Sequence, residues 1–251
     1  MNDFYFWAVL FGVAVVTSII SGILGMAGGL LLLVALLVRL EPVVAIPVHG
    51  IVQLVSNGSR AWFLRTHVRW RAVLRFAWPL LPAGAVGIAV ARSIPAELGR
   101  IAIGVFVLMS LWAPAVLSFG ARPASAERAL PWGGALVGFL SVVVGATGPL
   151  LGPFILGLGL GSEGTVATLA ACQIFQHASK VLLFGVTGPS LVHYLLPTSA
   201  LCVAAVIGSA LGTRLLDRVP ERAFRRVVRF VLTLLAIELS VEGAVRLLGY
   251  G

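Results

Sequence analysis

Two stretches of this chain place polar side chains inside apolar sequence, at a spacing that suits binding. Gln53, Asn57 and Arg60 lie four and three residues apart, so they share one helix face. Gln173, Gln176, His177 and Lys180 repeat that face: at a shift of 120, Gln53 falls on Gln173, Asn57 on His177 and Arg60 on Lys180. Polar groups at membrane depth are costly and normally face the bundle interior or a water-filled cavity. Amide and imidazole N–H donors would suit an oxyanion. The competing use is hydrogen bonding between helices, worth about 0.6 kcal/mol each. Lys180 is the chain's only lysine. It and Arg60 either raise the local concentration of an anion or snorkel to opposite faces.

The same shift relates two glycine breaks. Ser21-Gly22-Ile23-Leu24-Gly25-Met26-Ala27-Gly28-Gly29-Leu30 interrupts one apolar run, and Val143-Val144-Gly145-Ala146-Thr147-Gly148-Pro149-Leu150 interrupts another. Gly25 falls on Gly145, Gly28 on Gly148 and Leu30 on Leu150. Non-helical backbone at membrane depth is tolerated only where protein or water covers it. A pair of such breaks is a sequence pointer to a transporter's binding site. Free amides at a helix N-terminus, with roughly +0.5 charge from the dipole, hold anions. Gly28, Gly29 and Leu30 would open one half-helix; Gly148 would open the other, with Pro149 suited to its first turn. Thr147 would add a hydroxyl, and Gly25, Met26 and Gly145 shape the breaks. Close helix packing by glycine is the plainer alternative. Proton coupling, if present, would fall to His49, one turn before Gln53, or to Glu238 in the last apolar segment.

These residues need a membrane fold to position them. The chain of 251 residues is 59% hydrophobic before its 29 glycines are counted, and only 11% charged. Its mean hydropathy is +1.06, whereas soluble domains carry about 25% charge. The net charge of +9 sits in short clusters between apolar runs, where cytoplasmic loops place it, and is no nucleic-acid footprint. Cys172 and Cys202 lie in apolar runs and are expected as small core residues rather than a disulfide. The nine acids fall mostly in loops, at a terminus or at segment ends, so no intramembrane enzyme, metal centre or cofactor is expected. The partners are a small anionic substrate and the bilayer, with a homodimer as the default.

Apolar segments are expected at 4–24, 30–40, 42–64, 73–91 and 98–119, then at 132–144, 149–160, 165–186, 191–215 and 224–248. The pattern predicts an all-α polytopic membrane protein with about 8–10 membrane segments in two inverted repeats. Residues 1–120 form the first, 121–131 a cytoplasmic linker, and 132–251 the second. The short pieces beside each break fit a re-entrant hairpin or a split helix equally well. Arg65, Arg69, Arg71 and Arg75, the linker's Arg122 and Arg128, and Arg214, Arg218, Arg222, Arg225, Arg226 and Arg229 mark one face as cytoplasmic. Arg39, Arg92, Arg100 and Arg246 fall in loops of the other, where both termini are expected.

Length, the duplicated glycine-rich break and the polar third segments together resemble the TauE/SafE-type sulfite exporters, also called TSUP permeases. The resemblance runs from about Trp7 to Leu248 and is specific in pattern more than in any single residue. It implies an exporter of sulfite, thiosulfate, sulfoacetate or a related organosulfonate in the bacterial plasma (inner) membrane. Gly148-Pro149 departs from the pattern, because a second Gly-Gly pair like Gly28-Gly29 would be expected there. Outward movement of an anion needs no coupling ion, since one charge crossing 100 mV is worth about 2.3 kcal/mol. An anion channel, or a membrane scaffold without transport, are the other readings.

Overall fold

A computed structural model of the chain describes residues 3–24, 28–113, 116, 126–187, 189–215 and 221–249, and Gly25 and Met26 lie outside these. Among the described residues the regular structure is helical throughout. In chain order the helices are α1 (Asp3–Leu24), α2 (Gly28–Leu37), α3 (Pro42–Phe63), α4 (Trp70–Ala77), α5 (Leu80–Arg92) and α6 (Ala96–Trp112). They continue as α7 (Ala126–Val143), α8 (Gly148–Leu156), α9 (Ser162–Thr187), α10 (Leu195–Leu215) and α11 (Glu221–Leu247). Four stretches, Phe4–Ile23, Trp70–Arg92, Ser162–Thr187 and Val192–Leu215, are long and apolar enough to cross a bilayer. The molecule is an all-α polytopic membrane protein.

The structure adds detail at three boundaries. The fourth segment, found as the single stretch Trp70–Arg92, is built of α4 and α5, parted at Trp78 and Pro79; proline lacks an N–H and crowds the carbonyl four residues back. Residues 126–131, expected in the linker, form the first turns of α7. In the fifth segment one helix ends at Trp112, and of residues 114–119 only Val116 is described.

Close approaches show how the helices run. Gly208 lies on the carbonyl of Val15 and Gly212 on that of Ile19, so α1 and α10 are parallel. Gly134 lies on Phe76 and Gly138 on Leu80, so α7 runs parallel to α4 and α5. A Cβ at Gly212 would sit 2.6 Å from the Ile19 oxygen, so no larger residue allows this contact. Small residues at such interfaces let helices meet by dispersion contact, since lipid offers them no hydrophobic drive. Each break is then seen to be a hairpin. Arg39 reaches back over Phe6, turning α2 against α1, and Phe154 returns to Gly133, turning α8 against α7. The tips enter from opposite faces and meet between α3 and α9. Helix α2, Gly-Gly-Leu-Leu-Leu-Leu-Val-Ala-Leu-Leu, is enclosed on nearly every side, as an all-round apolar helix must be.

Ion pairs mark the two faces. At the first, Arg69 and Arg75 bind Glu127 at 3.3 and 2.9 Å, and His67 meets Glu163 at 3.0 Å. The arginine-rich loop after α3 therefore shares a face with the starts of α7 and α9. These groups are substantially exposed, and such pairs are worth about 0.2–1 kcal/mol each. Glu127→Gln is accordingly expected to lower thermal stability in detergent only slightly. At the second face Trp7 packs on Tyr194, with ring centroids 6.3 Å apart. There Arg100 departs from expectation. Read as a loop residue, it is buried, and its guanidinium donates to the carbonyls of Leu37 (2.6 Å) and Leu40 (3.3 Å) and to Glu41 (3.1 Å).

Candidate functional site

The two hairpin tips, α3 and α9 enclose a small polar cavity. Its wall comprises Ser21, Gly29, Leu30, Ala146, Thr147 and Gly148 from the first hairpin and the second, with His49, Gln53, Gln173 and His177 from the two central helices. The free volume is about 10 Å³, roughly what one water needs. An oxyanion of four or more heavy atoms needs more room than this, so its binding requires the surrounding groups to move.

Each lining group is aimed by a neighbour one helical turn away or across a helix pair. Asn57 Nδ2 donates to the Gln53 backbone carbonyl at 2.8 Å and to Gln53 Oε1 at 3.5 Å. That occupies the amide oxygen of Gln53 and leaves its N–H pair for the cavity. Asn57 Oδ1 in turn accepts from Arg60 Nη1 at 3.1 Å. On the other side Gln176 Nε2 donates to Thr147 Oγ1 at 2.9 Å, so the Thr147 hydroxyl proton is left to donate inward. Gln173 forms no side-chain hydrogen bond with another described residue. His177 stands edge-on to His49, centroids 5.6 Å apart, and its Nδ1 is buried without a partner, as is Gln176 Oε1. Unsatisfied buried polar atoms beside a cavity call for a ligand or water.

The tips contribute amides unequally. Gly28, Gly29 and Leu30 open α2, whose first N–H groups have no partner within the helix. At α8, Pro149 has no N–H, and Leu150 and Leu151 both turn back to the Thr147 carbonyl. Gly148 is the amide that remains. The Gly148-Pro149 departure seen in the sequence thus has a geometric consequence: the cradle is weighted towards the first hairpin.

The two central cations stand behind the wall and do not line it. Arg60 and Lys180 are fully buried, so neither snorkels. Arg60 is held by Asn57 and by Ser56 Oγ at 3.4 Å. Ser56 joins Ser18 of α1 and Ser209 of α10, at 3.3 and 3.0 Å. Lys180 Nζ donates to the Gly145 carbonyl at 2.7 Å and to His49 Nδ1 at 3.2 Å. A carbonyl can only accept, so His49 Nε2–H donates to Gly29 O at 3.0 Å, which sets the ring's tautomer.

Of the predicted site residues, Gly29, Leu30, Gln53, Thr147, Gly148, Gln173, His177 and His49 border the cavity. Gly28, Asn57, Arg60, Gly145 and Lys180 form the layer behind it. Glu238 is exposed on α11 and is not part of the cavity wall. Sequence reasoning missed Ser21 and Ala146 as lining residues, although both stand within the two quoted breaks. It missed Ser18 and Ser209 altogether, because a serine in an apolar run carries no signal of which helix it will face.

The family model described as Sulfite exporter TauE/SafE matches residues 10–239. No curated protein and no solved structure matches the chain. With nearly the whole length matched, the chain belongs to the TauE/SafE sulfite exporter family, whose members are membrane transporters of sulfur anions.

Proposed function

We propose that this protein exports a small sulfur oxyanion or organosulfonate, such as sulfite, thiosulfate or sulfoacetate, by alternating access across the bacterial inner membrane. The observation that carries this reading is the narrow polar cavity between two opposed hairpin tips. Its side chains offer amide, hydroxyl and imidazole groups, and no carboxylate is among them. Two buried cations and two half-helix N-termini make its surroundings positive, which concentrates anions. The narrowness of this cavity favours alternating access over an open anion channel, which needs a continuous path. The arginine-rich face would be cytoplasmic, both termini outside, and the membrane potential would drive export at least in part.

The test is thermal unfolding of the purified protein in detergent, at constant ionic strength, against sulfite, thiosulfate, sulfoacetate, taurine, sulfate and simple carboxylates. A ligand at 100 times its dissociation constant stabilises the folded state by about 2.7 kcal/mol. The expected result is a shift confined to one or a few sulfur anions, lost in Gln53→Leu and Gln173→Leu while the unliganded midpoint stays near the parent's. A flat panel would count against the transport assignment and favour the scaffold reading.

A further inference from the structure

The tip of the second hairpin separates two cavities of different character. On one side Ala146, Thr147 and Gly148 line the narrow polar cavity. On the other, Val142 and Val143 line a wider cavity of about 280 Å³ at the second face, together with Ile46, Phe184 and, near its mouth, Arg92. Gly145 sits at the turn with φ +80°, wedged against the side chains of Leu33 and Ile46. A residue with a side chain would be strained there, so the turn of the tip requires glycine.

Two side chains of α9 hold this tip in place: Gln176 donates to the Thr147 hydroxyl, and Lys180 acts at the turn itself. Lys180 donates to the Gly145 carbonyl, and through His49 it also reaches the Gly29 carbonyl of the first hairpin. A single buried ammonium therefore ties both tips together through three hydrogen bonds. Among the described residues Lys180 makes no ion pair with a carboxylate. Its charge is met by a carbonyl and an imidazole, both weaker acceptors than an anion. His177, which lines the polar cavity, lies one turn before Lys180 on the same face of α9. An anion entering beside His177 is thus placed to compete for the ammonium.

We propose that residues 144–147 form the gate between the polar cavity and the wider one, with Lys180 as its bolt. The transported anion opens the gate by drawing Lys180 off the Gly145 carbonyl. This rests on the transport reading above and adds to it which residue couples occupancy to opening. Lys180 is then a positioning residue rather than part of the cavity wall, and export of an anion would loosen the very tip that confines it.

Amide hydrogen exchange of the purified protein in detergent, read on peptides covering 142–148, tests this. Exchange there reports the local opening equilibrium. Lys180→Gln is expected to speed exchange of the tip about tenfold, equivalent to about 1.4 kcal/mol, with α6 and α11 unchanged. Sulfite is expected to speed tip exchange in the parent and to leave Lys180→Gln as it is. A sulfite-stabilised protein whose tip ignores Lys180→Gln, or loosens everywhere equally, overturns the gate while leaving transport standing. A tip freed by Lys180→Gln but indifferent to every sulfur anion overturns the anion-driven opening, and counts against the transport reading as well. If Lys180→Gln does not yield monodisperse protein, the unmutated chain decides. Faster exchange confined to the tip in sulfite supports the gate; unchanged or slower exchange overturns it.

Discussion

Gly28→Ala is expected to destabilise this protein strongly, whereas Gly29→Ala, one residue on, is expected to cost only transport. A Cβ at Gly28 would fall inside the van der Waals radius of the Thr17 carbonyl oxygen and against Ser21 Oγ. The obstacle is mainly α1 backbone, so it cannot rotate away. Overpacking costs about 1–3 kcal/mol in ordinary cores and occasionally more, and a clash with main chain belongs at the upper end. At Gly29 the Cβ would lie 3.5 Å from the Gln53 amide and 3.6 Å from His49 Nε2, both ordinary contacts. The methyl group fits, and exchanging glycine for alanine favours a helix by up to about 1 kcal/mol. It would, however, project towards the lining amide of Gln53 in a cavity with room for about 10 Å³. Thermal unfolding in detergent and sulfite efflux from proteoliposomes separate the two. Gly29→Ala should unfold no lower than the parent and transport at least about tenfold more slowly, a barrier of about 1.4 kcal/mol. Normal efflux by Gly29→Ala would mean that the first half-helix does not face the substrate. A Gly28→Ala protein as stable as the parent would mean that α2 does not press on α1 as described.

The second large effect is expected at Arg100, far from the cavity. Helix α2 ends buried, and its last carbonyls need donors. Arg100 supplies them to Leu37 and Leu40 while also meeting Glu41 and, at 3.5 Å, Glu242. Arg246 bridges the same two acids at 3.4 and 2.7 Å. Arg100→Met keeps the apolar stem, removes every donor and leaves two carboxylates sharing one arginine. Removing one partner of a buried pair costs about 3–5 kcal/mol. Glu41 and Glu242 keep 46% and 31% exposure, which screens the pairs and puts the expected loss near the lower bound. In thermal unfolding Arg100→Met should be far less stable than Arg246→Met, and the double variant should lose less than the sum of the two. Equal losses would show that the carbonyl contacts contribute nothing. An additive double variant would show that the four charges act separately.

Much of this architecture was legible in the residues. Membrane class and the approximate helix bounds follow from apolar runs, and the two breaks from Gly28-Gly29 and Gly148-Pro149, because hydropathy and backbone propensity are local. The polar faces of α3 and α9 were legible as well, since a spacing of four and three puts Gln53 with Asn57 and Gln173 with His177 wherever the helix packs. Periodicity does not say what a face is turned towards. Only the packed structure separates Gln53 and Gln173, which line the cavity, from Arg60 and Lys180, which stand behind it on the same faces.

Whether each break was a hairpin or a split helix also lay beyond the sequence, because both satisfy the same hydropathy and the same loop parity. The contact of Phe154 with Gly133 and of Arg39 with Phe6 decided it. Arg100 was misread for a related reason: an arginine beside an apolar run looks like a loop charge until a distant helix end offers it carbonyls. The sequence by itself determined the class of this protein, its membrane segments and the two places where they break, each a property of neighbouring residues. The tertiary structure alone decided which groups share a cavity and which cation ties the tips together. Those relations join residues as far apart as His49 and Lys180, and only chain packing brings such pairs within hydrogen-bonding distance.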